Sequence, residues 1–208
     1  MQTNPETEAA DLAYVDVSRS RYHPFKRALD VLCTLAGLLI LLLPLLLVML
    51  IIYVDDPGPV VFRQWRVGRD GRRFRIFKFR SMRMDAPKYR ASTSLDDPER
   101  YITRVGRFLR RTSLDELPQL INVLIGDMSL VGPRPLISDE QDVHDLRMQY
   151  GVYSVRPGLT GLAQIHDRDD MPPQEKVRWD LQYLRRFGLW TDVRILLATI
   201  PRILGRRG

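Results

Sequence analysis

The stretch Val31–Val54 constrains everything else in this chain: 24 consecutive positions carry no charge, and eleven of them are leucine. As a helix it would reach ~36 Å, more than the ~30 Å hydrocarbon core of a bilayer. A helix in a soluble core keeps a polar face, and this one has none. Nor does it read as a cleaved leader. It lies behind an acidic stretch (Glu6, Glu8, Asp11, Asp16) and lacks a small-residue cleavage site. The segment therefore belongs in a membrane. Whether it crosses is a separate question. Lys26 and Arg27 precede it, and Arg63, Arg66 and Arg69 follow, so both flanks look cytoplasmic. Pro44 near the middle removes a backbone hydrogen bond and bends the helix. Together these favour a re-entrant helix that enters and leaves on one face. A plain span with a tolerated proline is the alternative.

Three regions follow: a flexible acidic tail over 1–23, the membrane helix over 24–54, and a polar domain over 55–208 that opens with Asp55-Asp56-Pro57-Gly58-Pro59. Val60–Val67 and Arg72–Met82 read as strands of a β-hairpin around Gly68-Arg69-Asp70-Gly71. In the second strand Phe74 and Ile76 share one face while Phe77 and Phe79 take the other. That switch predicts a bulge, and it puts Lys78 and Arg80 on the face that Phe74 and Ile76 begin. Such inward cations suit an anion site, or else they only protect an edge strand from aggregation. Helical periodicity covers Ile102–Arg111, Leu114–Ile125, Asp139–Gln149, Gln174–Phe187 and Leu189–Leu204. The Gly- and Pro-rich pieces Gly126–Pro135 and Arg156–Ile165 are expected to be ordered loops. In the last helix Leu189, Val193, Leu196, Ile200 and Ile203 form an apolar stripe that fits a membrane interface or a core equally well. The fold class is α+β, predominantly helical.

Charge narrows the partners. Over the whole chain the formal net charge is +7, but residues 62–111 alone hold 16 Lys/Arg against five Asp/Glu. A basic block beside a membrane segment sits against anionic lipid headgroups, at about 1 kcal/mol per basic residue close to the surface. Nucleic acid is the usual competitor, but no zinc-finger, basic-zipper or RNP-like pattern is present, so membrane lipids and phosphorylated molecules fit better. One cysteine, Cys33, excludes an internal disulfide, and with only His23, His144 and His166 a zinc site of Cys/His type is not expected.

The run Arg110-Arg111-Thr112-Ser113-Leu114-Asp115-Glu116 carries the chemistry. Ser113 and Glu116 fit an S-x-x-E capping box, and Asp115 could merely complement a helix dipole. The same residues also fit a phosphate site. Arginines and a helix N-terminus bind phosphate oxygens, Mg²⁺ takes one or two carboxylates plus substrate phosphates, and an aspartate can attack phosphorus.

Four segments occur in order: Lys78-Phe79-Arg80-Ser81-Met82, Thr112-Ser113-Leu114-Asp115-Glu116-Leu117-Pro118-Gln119-Leu120, Gly126-Asp127-Met128-Ser129-Leu130-Val131-Gly132-Pro133-Arg134-Pro135, and Arg156-Pro157-Gly158-Leu159-Thr160-Gly161-Leu162-Ala163-Gln164. With the apolar segment upstream, this succession resembles the bacterial sugar transferases, the monotopic phosphoglycosyl transferases of glycoconjugate and exopolysaccharide assembly. The likeness covers roughly residues 24 to 204. It implies transfer of a sugar-1-phosphate from a UDP-sugar to a polyprenyl phosphate, such as undecaprenyl phosphate, with Mg²⁺ as cofactor, at the cytoplasmic face of the bacterial inner membrane. Carried over, Asp115 is the nucleophile that forms a phosphosugar-aspartate and expels UMP, and Glu116 is its partner in placing the metal or acting as base. Arg134 falls in the nucleotide- and phosphate-binding loop, and Arg110 matches the basic position five residues before the nucleophile. Lys78, Arg80, Arg156 and Arg168 supply further positive charge for substrate. The resemblance also implies a re-entrant helix broken at proline. The chain's single apolar segment matches the minimal catalytic form.

One departure stands out. Many members carry an Asn-Gly-Arg-Asn-like run after the position of Gln164, whereas this chain reads Ile165-His166-Asp167-Arg168-Asp169-Asp170, so no donor sugar is named. His166 reads as a surface-loop residue. The rival to an enzyme is a non-catalytic basic membrane scaffold. A hydrolase is disfavoured, because G-x-S-x-G, G-x-x-x-x-G-K-[ST] and H-E-x-x-H are all missing. The amphipathic C-terminal helix suits a homodimer interface as well as a membrane.

Overall fold

The computed structural model describes residues 12–86, 98–166 and 171–204. Helix α1, Tyr22–Asp55, runs 34 residues without interruption through Pro44, so the expected break at that proline is absent. It is long and apolar enough to cross a membrane, with a mean hydropathy of 3.2 over an 18-residue window. Lys26, Asp30 and Thr34, one helical turn apart, are buried against the polar domain, and so is Ile52 near the other end. Most side chains between are exposed, including Leu39, Ile40, Leu43 and Leu47. Both ends of α1 therefore rest on one domain. The described part of the expected N-terminal tail is also built in: Val15 donates its N–H to the Tyr150 carbonyl, and Leu12, Val15 and Val17 pack on the core.

Strands β1 (Val61–Val67) and β2 (Arg73–Phe79) form the expected antiparallel hairpin. Pairing is one to one from Val61↔Phe79 to Val67↔Arg73, so the predicted bulge is absent. Both faces of β2 are covered, but at different points along it. Phe74 and Ile76 pack with Val123 and Met128, while Phe79 packs on the other face with Ile52 and Leu109. A regular strand buried on alternate faces at its two ends produces the same letter pattern as a bulge.

Next come α2 (Arg104–Thr112), α3 (Gln119–Ile125), β3 (Ser129–Val131), α4 (Gln141–Gln149), β4 (Gly158–Thr160), α5 (Leu162–His166), α6 (Pro173–Arg185) and α7 (Leu189–Leu204). The expected helix over Leu114–Ile125 is divided: Leu114–Glu116 is a separate 3₁₀ turn, and α3 begins only after Pro118. Pro118 has no N–H, and its ring would clash with the carbonyl of Leu114 in a continuous helix. The two stretches read as loops each contribute a strand, and β3 and β4 pair in parallel at Ser129↔Gly158 and Val131↔Thr160. Three-residue strands are too short to leave a period-2 signature. The class is α+β, mostly helical, as the sequence implies.

On α7 the buried residues are Asp192 and Ile195, whereas Leu189, Trp190, Leu196, Leu197 and Ile200 are exposed. Of the expected stripe, Leu189, Leu196 and Ile200 thus face outward, and Val193 is half-buried. His166 closes α5 and stacks on Trp179 with ring centroids 3.9 Å apart, so it is an anchored helix end instead of a free loop residue.

Candidate active site

The carboxylate pair sits on the 3₁₀ turn Leu114–Glu116. Ser113 does not cap that turn. It adopts the left-handed conformation (φ 56°, ψ 17°) and ends α2, its N–H reaching back to the Arg110 and Leu109 carbonyls. The capping-box reading therefore fails, and the serine marks a sharp reversal between α2 and the turn. Successive side chains on a 3₁₀ turn diverge by roughly 120°. Asp115 and Glu116 accordingly face different surroundings.

Asp115 is buried. Loss of hydration pushes its carboxyl up to about 6; Lys78 and Arg110 oppose the rise and Glu116 adds to it. Glu116 instead accepts from Lys78, Nζ to Oε1 2.7 Å. Lys78 reaches that position because it follows Phe74 and Ile76 on one face of β2. Arg110 holds its place by donating from Nε to Ser81 Oγ at 2.8 Å.

Beside this pair lies a cleft lined by Arg66, Lys78, Glu116, Gln119, Arg134 and Gln164, together with Ile76, Pro135, Gly158 and Leu159. The side chain of Arg134 is exposed between the buried Pro133 and Pro135. Arg66 is half-buried, and loss of hydration together with the nearby Arg134 pushes its guanidinium down to about 10. Arg66 Nε and Gln164 Oε1 are buried without a partner, a donor and an acceptor left over for a ligand.

Sequence motifs thus bring Lys78, Glu116 and Arg134 to one cleft, with Asp115 and Arg110 adjoining. Arg80 and Arg156 are placed elsewhere. Arg80 Nη2 donates to the Asp56 carbonyl and lies 3.6 Å from the Asp56 carboxylate, where α1 leaves its apolar run. Arg156 Nε donates to the Gly126 carbonyl at 2.8 Å, at the end of α3. Arg168 lies outside the described residues. Three cleft residues had gone unassigned. Arg66 pairs with Phe74 in the hairpin, so strand alternation alone puts it on the inner face. Gln119 follows Glu116 by three positions, and Gln164 ends the fourth motif.

Comparison with known proteins places the chain in a family. The family model described as bacterial sugar transferase matches residues 21–206. This chain belongs to that family. It is 46% identical over 189 residues to the UDP-glucose:undecaprenyl-phosphate glucose-1-phosphate transferase of Caulobacter vibrioides, covering 86% of this chain and 69% of that protein. The undecaprenyl-phosphate galactose phosphotransferase of Salmonella typhimurium is 40% identical over 197 residues, covering 88% of this chain and 41% of the relative. An Aeromonas hydrophila relative, named UDP-N-acetylgalactosamine-undecaprenyl-phosphate N-acetylgalactosaminephosphotransferase, is 40% identical over 190 residues, 88% of this chain and 44% of its own length. The chain thus spans about two fifths of the length of the last two.

Proposed function

We propose that this sugar transferase moves a sugar-1-phosphate from a UDP-sugar to undecaprenyl phosphate at the cytoplasmic face of the bacterial inner membrane. One arrangement carries the reading: a buried carboxylate, Asp115, set between Lys78 and Arg110 beside a cleft holding Arg66 and Arg134. Phosphoryl transfer needs positioning and charge neutralisation more than elaborate acid–base chemistry. A cleft with three cations and one carboxylate, adjoined by the buried Asp115, supplies both. In the first step an Asp115 oxygen attacks the sugar-bearing phosphorus. An O–P bond forms, the diphosphate bridge bond breaks, and UMP leaves with the electron pair. In the second step an oxygen of undecaprenyl phosphate attacks the same phosphorus and releases the Asp115 carboxylate. Burial raises the energy of that carboxylate's charge, which makes it a better nucleophile once ionised.

Among the described residues no three His, Cys, Asp or Glu side chains gather as a metal cage. The adjoining Asp115 and Glu116 suit Mg²⁺, which takes one or two carboxylates and completes its shell with water and substrate phosphates. When bound there, Mg²⁺ would neutralise charge on the diphosphate. Arg134 and Arg66, which line the same cleft, would hold phosphate oxygens.

The membrane side of the molecule suits a lipid acceptor. Both ends of α1 rest on one domain, which favours the re-entrant geometry, and the outward apolar face of α7 favours lying in the headgroup region. A second copy of the chain could cover that face instead, making a homodimer. The named donors of the relatives differ in sugar. The donor here is therefore an outcome of the experiment.

The test is incubation of nanodisc-held protein with radiolabelled UDP-sugars and Mg²⁺ without lipid acceptor. Label retained on wild type, absent from Asp115→Ala and chased into lipid by undecaprenyl phosphate, is the expected result. Lipid-linked product formed without any label passing through the protein would remove Asp115 as nucleophile. A protein that binds vesicles but forms neither species with any donor would favour the scaffold reading.

A further inference from the structure

Resting on that functional reading, we infer that the buried pair Arg147–Asp180 is a positioning device for Arg134. Arg147 lies on α4 and Asp180 on α6, and their side chains are only 4% and 2% exposed. Arg147 Nη2 and Nε approach one carboxylate oxygen of Asp180 at 2.7 and 2.9 Å. The remaining arm, Nη1, donates to the backbone carbonyl of Arg134 at 2.8 Å.

That third bond completes a pattern. From Pro133 to Leu136 each carbonyl has a partner, and the four partners come from β1, α4 and β4. Pro133 O accepts from Gly158 N, Arg134 O from Arg147, Pro135 O from Arg66 Nη1, and Leu136 O from Val67 N. Gly132 donates its N–H to Thr160 O. All residues of 131–136 are buried except Arg134. The backbone is a fixed pedestal for one exposed guanidinium. Among these four acceptors, Arg134 O alone is met by a fully buried charged side chain.

A buried ion pair is poor evidence for stability, because apolar residues of similar volume often serve as well or better. Its rigid fork does something an apolar pair cannot: it fixes one carbonyl relative to two helices at once. Arg134 in turn lines the same cleft as Glu116 and Lys78. A displacement of about 1 Å at a substrate-holding group can cost roughly a hundredfold in rate.

The experiment replaces the pair as a unit. Arg147→Met/Asp180→Val removes both charges, so neither is left buried alone, and it should melt within a few degrees of wild type. Its lipid-linked product formation is expected to fall about 10- to 100-fold. Arg147→Lys, which keeps the charge but loses the fork, should show the same loss to a smaller degree and serves if the double variant does not fold. The decisive comparison adds Arg134→Ala. If the pair acts through Arg134, its replacement costs little further activity once Arg134 is gone. Amide exchange at Gly132, Arg134 and Leu136 should quicken in the folded pair variant, a readout independent of donor or acceptor. A folded variant with wild-type turnover and unchanged exchange would overturn the inference, as would losses that add fully to that of Arg134→Ala. If wild type transfers nothing from any UDP-sugar, the functional reading falls, and the exchange measurement alone decides the positioning.

Discussion

The two walls of the cleft are built on opposite principles. On the arginine side, the carbonyls of Pro133 to Leu136 are paired, the prolines are buried, and the preceding strand β3 is stitched to β4. On the carboxylate side, Ser113 holds a left-handed conformation that side chains with a Cβ rarely take, and Asp115 is buried at a cost to its charge. One wall is satisfied and rigid, and the other stores unfavourable energy. The difference assigns work: a phosphate-holding wall gains from fixed donors, whereas a nucleophile gains from a charge that the fold stabilises poorly.

The largest effect that could break this contrast is catalytic. Asp115→Asn keeps the shape of the turn and removes the attacking oxygen, so product formation should fall by at least about a thousandfold. Measured initial rates near wild type would place the nucleophile elsewhere. Next in size is the rigid wall. A Cβ at Gly132 would run into the carbonyl of Arg156, and one at Gly158 into the backbone of Gly132. Gly132→Ala should therefore cost about 1–3 kcal/mol in denaturant unfolding and reduce turnover as Arg134 shifts. An unchanged midpoint would mean that the loop is softer than its hydrogen bonds suggest.

Much of this contrast was legible in the sequence, and the exceptions share a cause. The apolar run of α1, the hairpin, and the positions of Lys78, Glu116 and Arg134 follow from patterns within single segments. The parallel pairing of β3 with β4 does not, because it joins residues nearly thirty positions apart through strands of three residues each. The divided helix at Pro118 could have been read from the proline, but the S-x-x-E spacing hid it. Arg80 and Arg156 looked like substrate cations because charge in a sequence has no direction. The fold turns one toward Asp56 and the other toward the carbonyl end of α3. The Arg147–Asp180 pair spans two helices, and nothing local distinguishes it from solvated charge.

The carboxylate wall yields a subtler prediction from the same Asp115→Asn variant, now read as stability in metal-free buffer. An acid whose folded pKa is raised binds its proton more tightly in the folded state. Folding of wild type therefore bears the full penalty above about pH 6, and the penalty fades as pH falls toward the ordinary carboxylate value of 3.8. The asparagine variant lacks that charge. It should be more stable than wild type by at most about 3 kcal/mol at pH 7.5, with the gain shrinking as pH drops through 6 toward 4. A gain that stayed constant with pH would arise from something other than the buried charge.

The smallest effect sharpens the comparison at the backbone. Ser113 is one of two residues other than glycine with positive φ among the described residues, the second being Asp70 in the hairpin loop. Glycine pays no steric penalty in this conformation, so Ser113→Gly should stabilise the folded protein by up to about 1 kcal/mol, less whatever its own chain entropy takes back. If the reversal serves only to aim Asp115, turnover should stay near wild type, because glycine keeps the same φ and ψ. A fall in turnover with the stability gained would show that the strain itself, held by a side chain that restricts the turn, keeps the nucleophile in place. Parallel chemical denaturation and initial-rate measurements on this one variant separate a wall that merely tolerates strain from one that uses it.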